Sequence, residues 1–103
     1  MVTNYDWLPM GSVVRLDQAD KPLMIAGVMV TDGNTGKLWD YLGYPYPEGR
    51  RSGDNFFDKN DIVEIKQVGY MNGLGCAFQA YLEETTPEFE ADKAKQKKEG
   101  KEA

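Results

Sequence analysis

Hydrophobic and polar positions alternate over the first two thirds of the chain in short segments that predict β-strands. Residues 12–16, 37–44 and 62–66 alternate apolar with small or polar side chains, as expected where the two faces of a strand differ. Val68 lies on the opposite phase from Val63 and Ile65, which suggests a bulge or a twist near Gln67. Leu23–Thr31 is apolar on both faces, which predicts a central strand. Gly27 in its middle indicates a bend, a bulge or a close approach of backbones.

The segments between these strands have the composition of turns. Residues 32–37 contain two glycines and polar side chains, so they predict a hairpin that joins the second and third strands. Phe56 and Phe57 return the chain to the core, and residues 58–61 then predict a turn or a single turn of helix. The chain up to residue 68 is therefore expected to form an antiparallel sheet.

The hydrophobic spacing changes to that of a helix after Asn72, which is a candidate N-cap. The apolar residues of this segment fall at positions i, i+3, i+4, i+7 and i+8, namely Leu74, Ala77, Phe78, Tyr81 and Leu82. We expect this stripe to pack on the sheet. Thr86 and Pro87 are expected to end the helix or to begin a second one.

Residues 87–103 contain five lysines and five acidic residues, and their few apolar side chains include Phe89. This composition predicts a solvated tail, which is either flexible or a frayed helix held by charge pairs. We therefore expect one α+β domain over residues 1–86 and a charged tail over residues 87–103. Its sheet is small, antiparallel and strongly curved, with one helix packed on it, and a closed SH3-like barrel is one form that it can take.

Composition limits the classes of function. A chain of 103 residues is long enough for one small domain. Its net charge of −5 argues against binding to nucleic acid or to an anionic membrane surface. The chain has one cysteine, Cys76, no apolar run of membrane-spanning length and no signal-peptide pattern, so we expect a cytoplasmic protein.

The residues that carry catalysis in other proteins are sparse here. The chain has no histidine, so Cys76 lacks the commonest activating base. The acids of residues 54–61 do not have the spacing of a calcium-binding loop. Asp40 and Glu48 could act as paired carboxylates on a sugar, although nothing in the sequence fixes their separation. We expect no enzymatic activity, no cofactor and no bound metal.

A segment rich in aromatic residues and proline, residues 39–49, is the strongest candidate for a binding surface, and we call it the aromatic corner. Exposed aromatic side chains contribute disproportionately to binding when a partner desolvates them. The predicted partner-binding residues are Trp39, Tyr41, Tyr44, Tyr46 and Glu48. The alternative for the aromatic ones is that they fill the core. The helix face around Gln79 and Glu83, and an open sheet edge, are further candidates.

Three segments resemble motifs of one protein family. Residues 8–16 read LPMGSVVRL, residues 23–27 read LMIAG and residues 39–49 read WDYLGYPYPEG. They resemble the opening, the second strand and the signature of the domain-of-unknown-function family numbered four-one-seven-six, small cytoplasmic proteins of Gram-positive bacteria. The resemblance covers about residues 8–84.

This resemblance implies a role without catalytic residues. Members of the family look like companions of the type VII secretion system, often encoded beside toxins that have a helical N-terminal targeting domain. The implied partner is that helical domain, and the implied role is that of an adaptor or chaperone. A stand-alone module that binds a peptide or sugar at the aromatic corner, and an immunity protein that neutralises a toxin, are the alternatives.

Overall fold

The computed structural model describes residues 7–51 and 53–100. They form five strands and one long helix, an α+β fold, as the sequence predicts. The strands are β1 (Val13–Leu16), β2 (Leu23–Thr31), β3 (Leu38–Pro45), β4 (Asn55–Phe57) and β5 (Ile62–Gln67), and the helix is α1 (Gly73–Gly100). A single 3₁₀ turn at Lys59–Asp61 links β4 to β5.

All strand pairs are antiparallel, and the strands lie in the order β4-β3-β2-β1-β5. β4 and β5 are therefore the two edges of an open sheet, and the closed SH3-like barrel that we considered is not formed. Closure needs a ladder between the two edge strands, and β4 has only three residues, all of them paired with β3. The sheet therefore keeps an exposed edge at β5.

β2 occupies the middle of the sheet, as its apolar sequence predicts. Its register against β3 shifts between Ile25 and Gly27, which confirms the predicted irregularity. A Cβ atom on Gly27 would lie 3.0 Å from Cγ1 of Val30 and 3.3 Å from Cβ of Leu42. The two strands thus approach each other more closely here than a larger side chain allows.

The hydrophobic core joins the sheet to both ends of the described chain. Its buried members are Trp7, Leu8, Val14, Leu23, Ile25, Tyr41, Phe57, Ile62, Leu82 and Phe89. Trp7 packs edge-on against both Tyr41 and Phe89, with ring centroids 5.5 and 5.9 Å apart. Trp7 and Phe89 lie outside every predicted strand and outside the predicted helical stripe, so the sequence patterns did not place them in the core.

α1 runs without interruption from Gly73 to Gly100. The side chain of Asn72 accepts a hydrogen bond from the N–H of Gly75 at 2.9 Å, so the predicted N-cap is confirmed. The helix continues through Pro87, contrary to the expected end or restart at Thr86 and Pro87. The side-chain hydroxyl of Thr86 donates to the carbonyl of Leu82 at 2.6 Å.

The described part of the expected tail is helical. Residues 87–100 belong to α1, so of the two alternatives, a flexible tail or a helix, these residues form a helix. Residues 101–103 lie outside the described residues. The division of the chain into units at residue 86 stays a prediction. Within the described residues, no helix is long and apolar enough to cross a membrane.

Candidate protein-binding surface

The aromatic corner divides into a buried part and an exposed part. The Tyr41 side chain is 1% exposed, and its hydroxyl accepts a hydrogen bond from the N–H of Leu8 at 2.9 Å. Burial raises the pKa of Tyr41 to about 12. Tyr41 therefore fills the core, which is the alternative to the partner-binding role that we predicted for it.

Trp39 also makes internal contacts. Its ring stacks on Phe56, with centroids 6.4 Å apart and planes at 24°, and Nζ of Lys37 lies 4.0 Å from the ring centroid. The side chain is half-buried, so a partner can reach only part of it. Trp39 thus contributes to packing at the β3–β4 side of the sheet.

Tyr46 and Glu48 form the exposed part of the corner, and Tyr44 beside them is half-buried. The hydroxyl of Tyr44 donates to Asp54 at 3.0 Å, and this hydrogen bond raises the pKa of Tyr44. Glu48 is ion-paired with Lys21. The Tyr46 side chain is 52% exposed and stands free enough to meet a ligand. The binding role of these three residues stays a prediction.

The two carboxylates considered for sugar chemistry have different lysine partners. Asp40 accepts a hydrogen bond from Lys93, whereas Glu48 pairs with Lys21. The described structure also contains no group of three or more cysteine and acidic side chains that could hold a metal ion.

From Leu82 onward, α1 is attached to the rest of the fold by both apolar and polar contacts. Its attached residues recur at intervals of four and three, and we call them the anchored face: Leu82, Thr86, Phe89, Lys93 and Gln96. Thr86 accepts a hydrogen bond from Nε1 of Trp7 at 2.8 Å. Gln96 accepts from the N–H of Leu38 at 2.8 Å and donates to the carbonyl of Gly36 at 2.7 Å.

Lys93 is the ionic centre of the anchored face. Its ammonium group lies 2.9 Å from Asp40 and 2.8 Å from Asp58. Burial alone lowers the pKa of Lys93, but the hydrogen bonds to Asp58 and Asp40 outweigh this effect and raise it above its ordinary value. Lys93 therefore stays charged at neutral pH and compensates the nearly buried Asp40.

The N-terminal half of α1 carries apolar side chains that the sheet does not cover. Tyr70 is 83% exposed, Leu74 81%, Tyr81 57% and Phe78 44%. The rings of Phe78 and Tyr81 stack on each other, with centroids 6.1 Å apart. We call Leu74, Phe78 and Tyr81, with Tyr70 just before the helix, the aromatic face.

The predicted packing of the helical stripe is therefore wrong for all but one of its large residues. Leu82 is buried, whereas Leu74, Phe78 and Tyr81 point away from the core. The eight residues from Leu74 to Leu82 correspond to a rotation of about 80° around the helix axis. Leu82 belongs to both the predicted stripe and the anchored face, which is why the periodicity alone suggested the wrong side.

Comparison with known proteins gives one match. Residues 7–78 match the family model described as a domain of unknown function, DUF4176. The chain belongs to this family. No curated protein and no solved structure matches it.

The DUF4176 match covers the whole sheet and ends within the aromatic face. It includes all five strands and α1 as far as Phe78, and it stops before Leu82, where the anchored face begins. Tyr70, Leu74 and Phe78 thus lie in the region that this protein shares with the DUF4176 family. The anchoring contacts of Phe89, Lys93 and Gln96 lie beyond it.

Proposed function

We propose that this DUF4176 protein is a non-enzymatic, cytoplasmic accessory protein of type VII secretion, which binds a toxin as an adaptor or chaperone before export. The observation that supports the proposal is the aromatic face of α1. Clusters of exposed aromatic and aliphatic side chains mark protein-binding sites more often than ordinary surface. The family resemblance supplies the secretion context, and the surface supplies a place for the client.

The chemistry of the described residues agrees better with binding than with catalysis. Asp40 and Asp58 both pair with the single ammonium group of Lys93, and Asp54 is paired with Arg50. Hydrogen bonds from Arg50 and Tyr44 lower the pKa of Asp54, so this carboxylate is charged and cannot act as a general acid near neutral pH. A binding role needs none of these groups to change its protonation state.

The exposed part of the aromatic corner supports a second candidate, a module that binds a peptide or sugar. Tyr46 and Glu48 are exposed on one short turn, and Tyr44 lies beside them. An immunity protein would use a protein surface as well, but it would bind the toxic domain of its client. These candidates predict different partners and different sensitive residues.

The test is a tagged pull-down from the native cytoplasm, followed by mass spectrometry and binding assays with separate toxin domains. Recovery of one stoichiometric toxin that binds through its helical N-terminal domain supports the adaptor or chaperone role. Binding only through the toxic domain supports the immunity role instead. Recovery of no toxin, together with a saturable small ligand whose binding requires Tyr46, supports the binding module.

A further inference from the structure

We propose that the aromatic face of α1 is the docking site for one amphipathic helix of a partner protein, whose apolar stripe is flanked by lysine and arginine. This inference deepens the proposed function and depends on it for the existence of a protein client. It adds the surface, the secondary structure and the charge of the segment that binds. Three features of α1 carry it.

The first feature is the shape of the apolar surface. Leu74, Phe78 and Tyr81 occupy positions i, i+4 and i+7, which place them along one side of the helix over about 10 Å. This is the spacing with which one helix packs against another. The stacked rings of Phe78 and Tyr81 hold this surface in one arrangement before a partner arrives.

The second feature is the charge of the same stretch of chain. Residues 67–92 contain five acidic residues, Glu83, Glu84, Glu88, Glu90 and Asp92, and no lysine or arginine. Glu88 and Asp92 lie 14 and 18 residues after Leu74, so they continue the side of the helix that carries the aromatic face to within about 40°. Glu88 and Asp92 thus extend the apolar stripe itself, whereas Glu83, Glu84 and Glu90 lie on other sides of the helix.

The third feature is the change from apolar to acidic surface along α1, which determines the kind of helix that complements it. The surface is apolar at the N-terminal end of α1 and acidic beyond its middle, where Glu88 and Asp92 are exposed. Its complement is a helix that is apolar along one stripe and basic beside it. A second copy of this chain packed in parallel would place the same acidic stretch against itself, so it complements the charge less well than a basic partner does.

The test uses two synthetic 18-residue helical peptides and the full chain. Both peptides carry the same leucine stripe at positions i, i+3, i+4 and i+7, and their other positions are mainly lysine in one and mainly glutamate in the other. Anisotropy of a dye on the peptide measures the dissociation constant. We expect the lysine peptide to bind at least tenfold more tightly than the glutamate peptide, and less tightly as salt is raised.

Two pairs of variants locate the site. Phe78→Ser/Tyr81→Ser should weaken binding of the lysine peptide at least tenfold, whereas Tyr46→Ser in the aromatic corner should change it less than twofold. Glu88→Lys/Asp92→Lys should weaken it about tenfold, and Asp17→Lys/Asp20→Lys, which changes the net charge equally at another exposed site, should change it less than threefold. Thermal unfolding by circular dichroism checks that each variant is folded.

Several outcomes would overturn the inference. They are binding of neither peptide, equal binding of both, an unchanged dissociation constant in Phe78→Ser/Tyr81→Ser, and a wild-type dimer by light scattering that this double substitution dissociates. If the toxin is recovered from cells but the peptides fail these tests, the docking site is wrong and the proposed function stands. If the peptides behave as expected but no toxin is recovered, the surface stands and the secretion role is wrong.

Discussion

Phe89 and Phe78 are the same residue type on the same helix, 11 residues apart, and the structure gives them opposite roles. Phe89 is 7% exposed and packs edge-on against Trp7 at 5.9 Å. Phe78 is 44% exposed and contacts Tyr81 on the surface. We predict that Phe89→Ala strongly destabilises the fold, whereas Phe78→Ala leaves its stability almost unchanged.

The magnitude follows from burial. Truncation of a buried phenylalanine to alanine costs about 3–5 kcal/mol in free energy of unfolding. Phe89 lies at the margin of the core, so we expect the lower end, about 3 kcal/mol, including the lost aromatic contact with Trp7. For a domain of this size, about 3 kcal/mol corresponds to a decrease in Tm of about 12–24 °C. Phe78→Ala should stay within about 0.5 kcal/mol of the wild type.

Urea denaturation followed by tryptophan fluorescence measures both variants. Trp7 and Trp39 are the two tryptophans of the chain, and Trp7 touches Phe89 directly, so the signal reports on the anchored face. Equal stabilities of the two variants, or a loss below about 1 kcal/mol for Phe89→Ala, would show that the C-terminal half of α1 is not part of the core.

Further predictions concern three residues, Tyr41, Lys93 and Tyr46. Tyr41 has a raised pKa of about 12 in the folded state, so its protonated form stabilises the fold fully below about pH 10, and this contribution is lost between about pH 10 and 12. The free energy of unfolding of the wild type should therefore fall more steeply over this pH range than that of Tyr41→Phe. Parallel curves of unfolding free energy against pH would contradict this. Tyr41→Phe itself should cost about 1–3 kcal/mol at pH 7, because the buried N–H of Leu8 loses its acceptor. Lys93→Met should lower the free energy of unfolding by about 1–3 kcal/mol, because Asp40 stays nearly buried without its cation while the site keeps some solvent. The control Lys95→Met, on the exposed side of α1, should change the free energy of unfolding very little. Equal urea midpoints for the two variants would refute the anchoring role of Lys93. Tyr46→Ala should leave the melting curve unchanged, and a loss of toxin binding in this variant would favour the aromatic corner over the aromatic face.

The sheet could be predicted well because its strands follow simple periodicities. Leu23–Thr31 is apolar on both faces and lies in the middle of the sheet, and Gly27 marks the irregularity that the register shows. Whether the sheet stays open or closes into a barrel could not be predicted from the sequence, because closure depends on whether the two edge strands meet. That is a property of curvature and strand length, and no local pattern encodes it.

Hydrophobic periodicity predicts the wrong face of the helix to pack on the sheet, and the residues of the two faces show why. The anchored face has only two apolar members, Leu82 and Phe89, while its other attachments are polar contacts of Thr86, Lys93 and Gln96. Hydrophobic periodicity gives weight to the richer stripe, which is the aromatic face. We interpret an exposed apolar stripe on a helix that is attached by a second, mixed face as a candidate binding surface.

The central claim is that a protein partner docks on the aromatic face of α1. The most direct measurement is hydrogen–deuterium exchange of the full chain, alone and in complex with the helical N-terminal domain of the toxin that it captures. The account predicts slower exchange on complex formation within residues 70–81, which precede the anchored face, and little change in residues 44–49. Protection confined to residues 44–49, or to the edge strand β5, would contradict it.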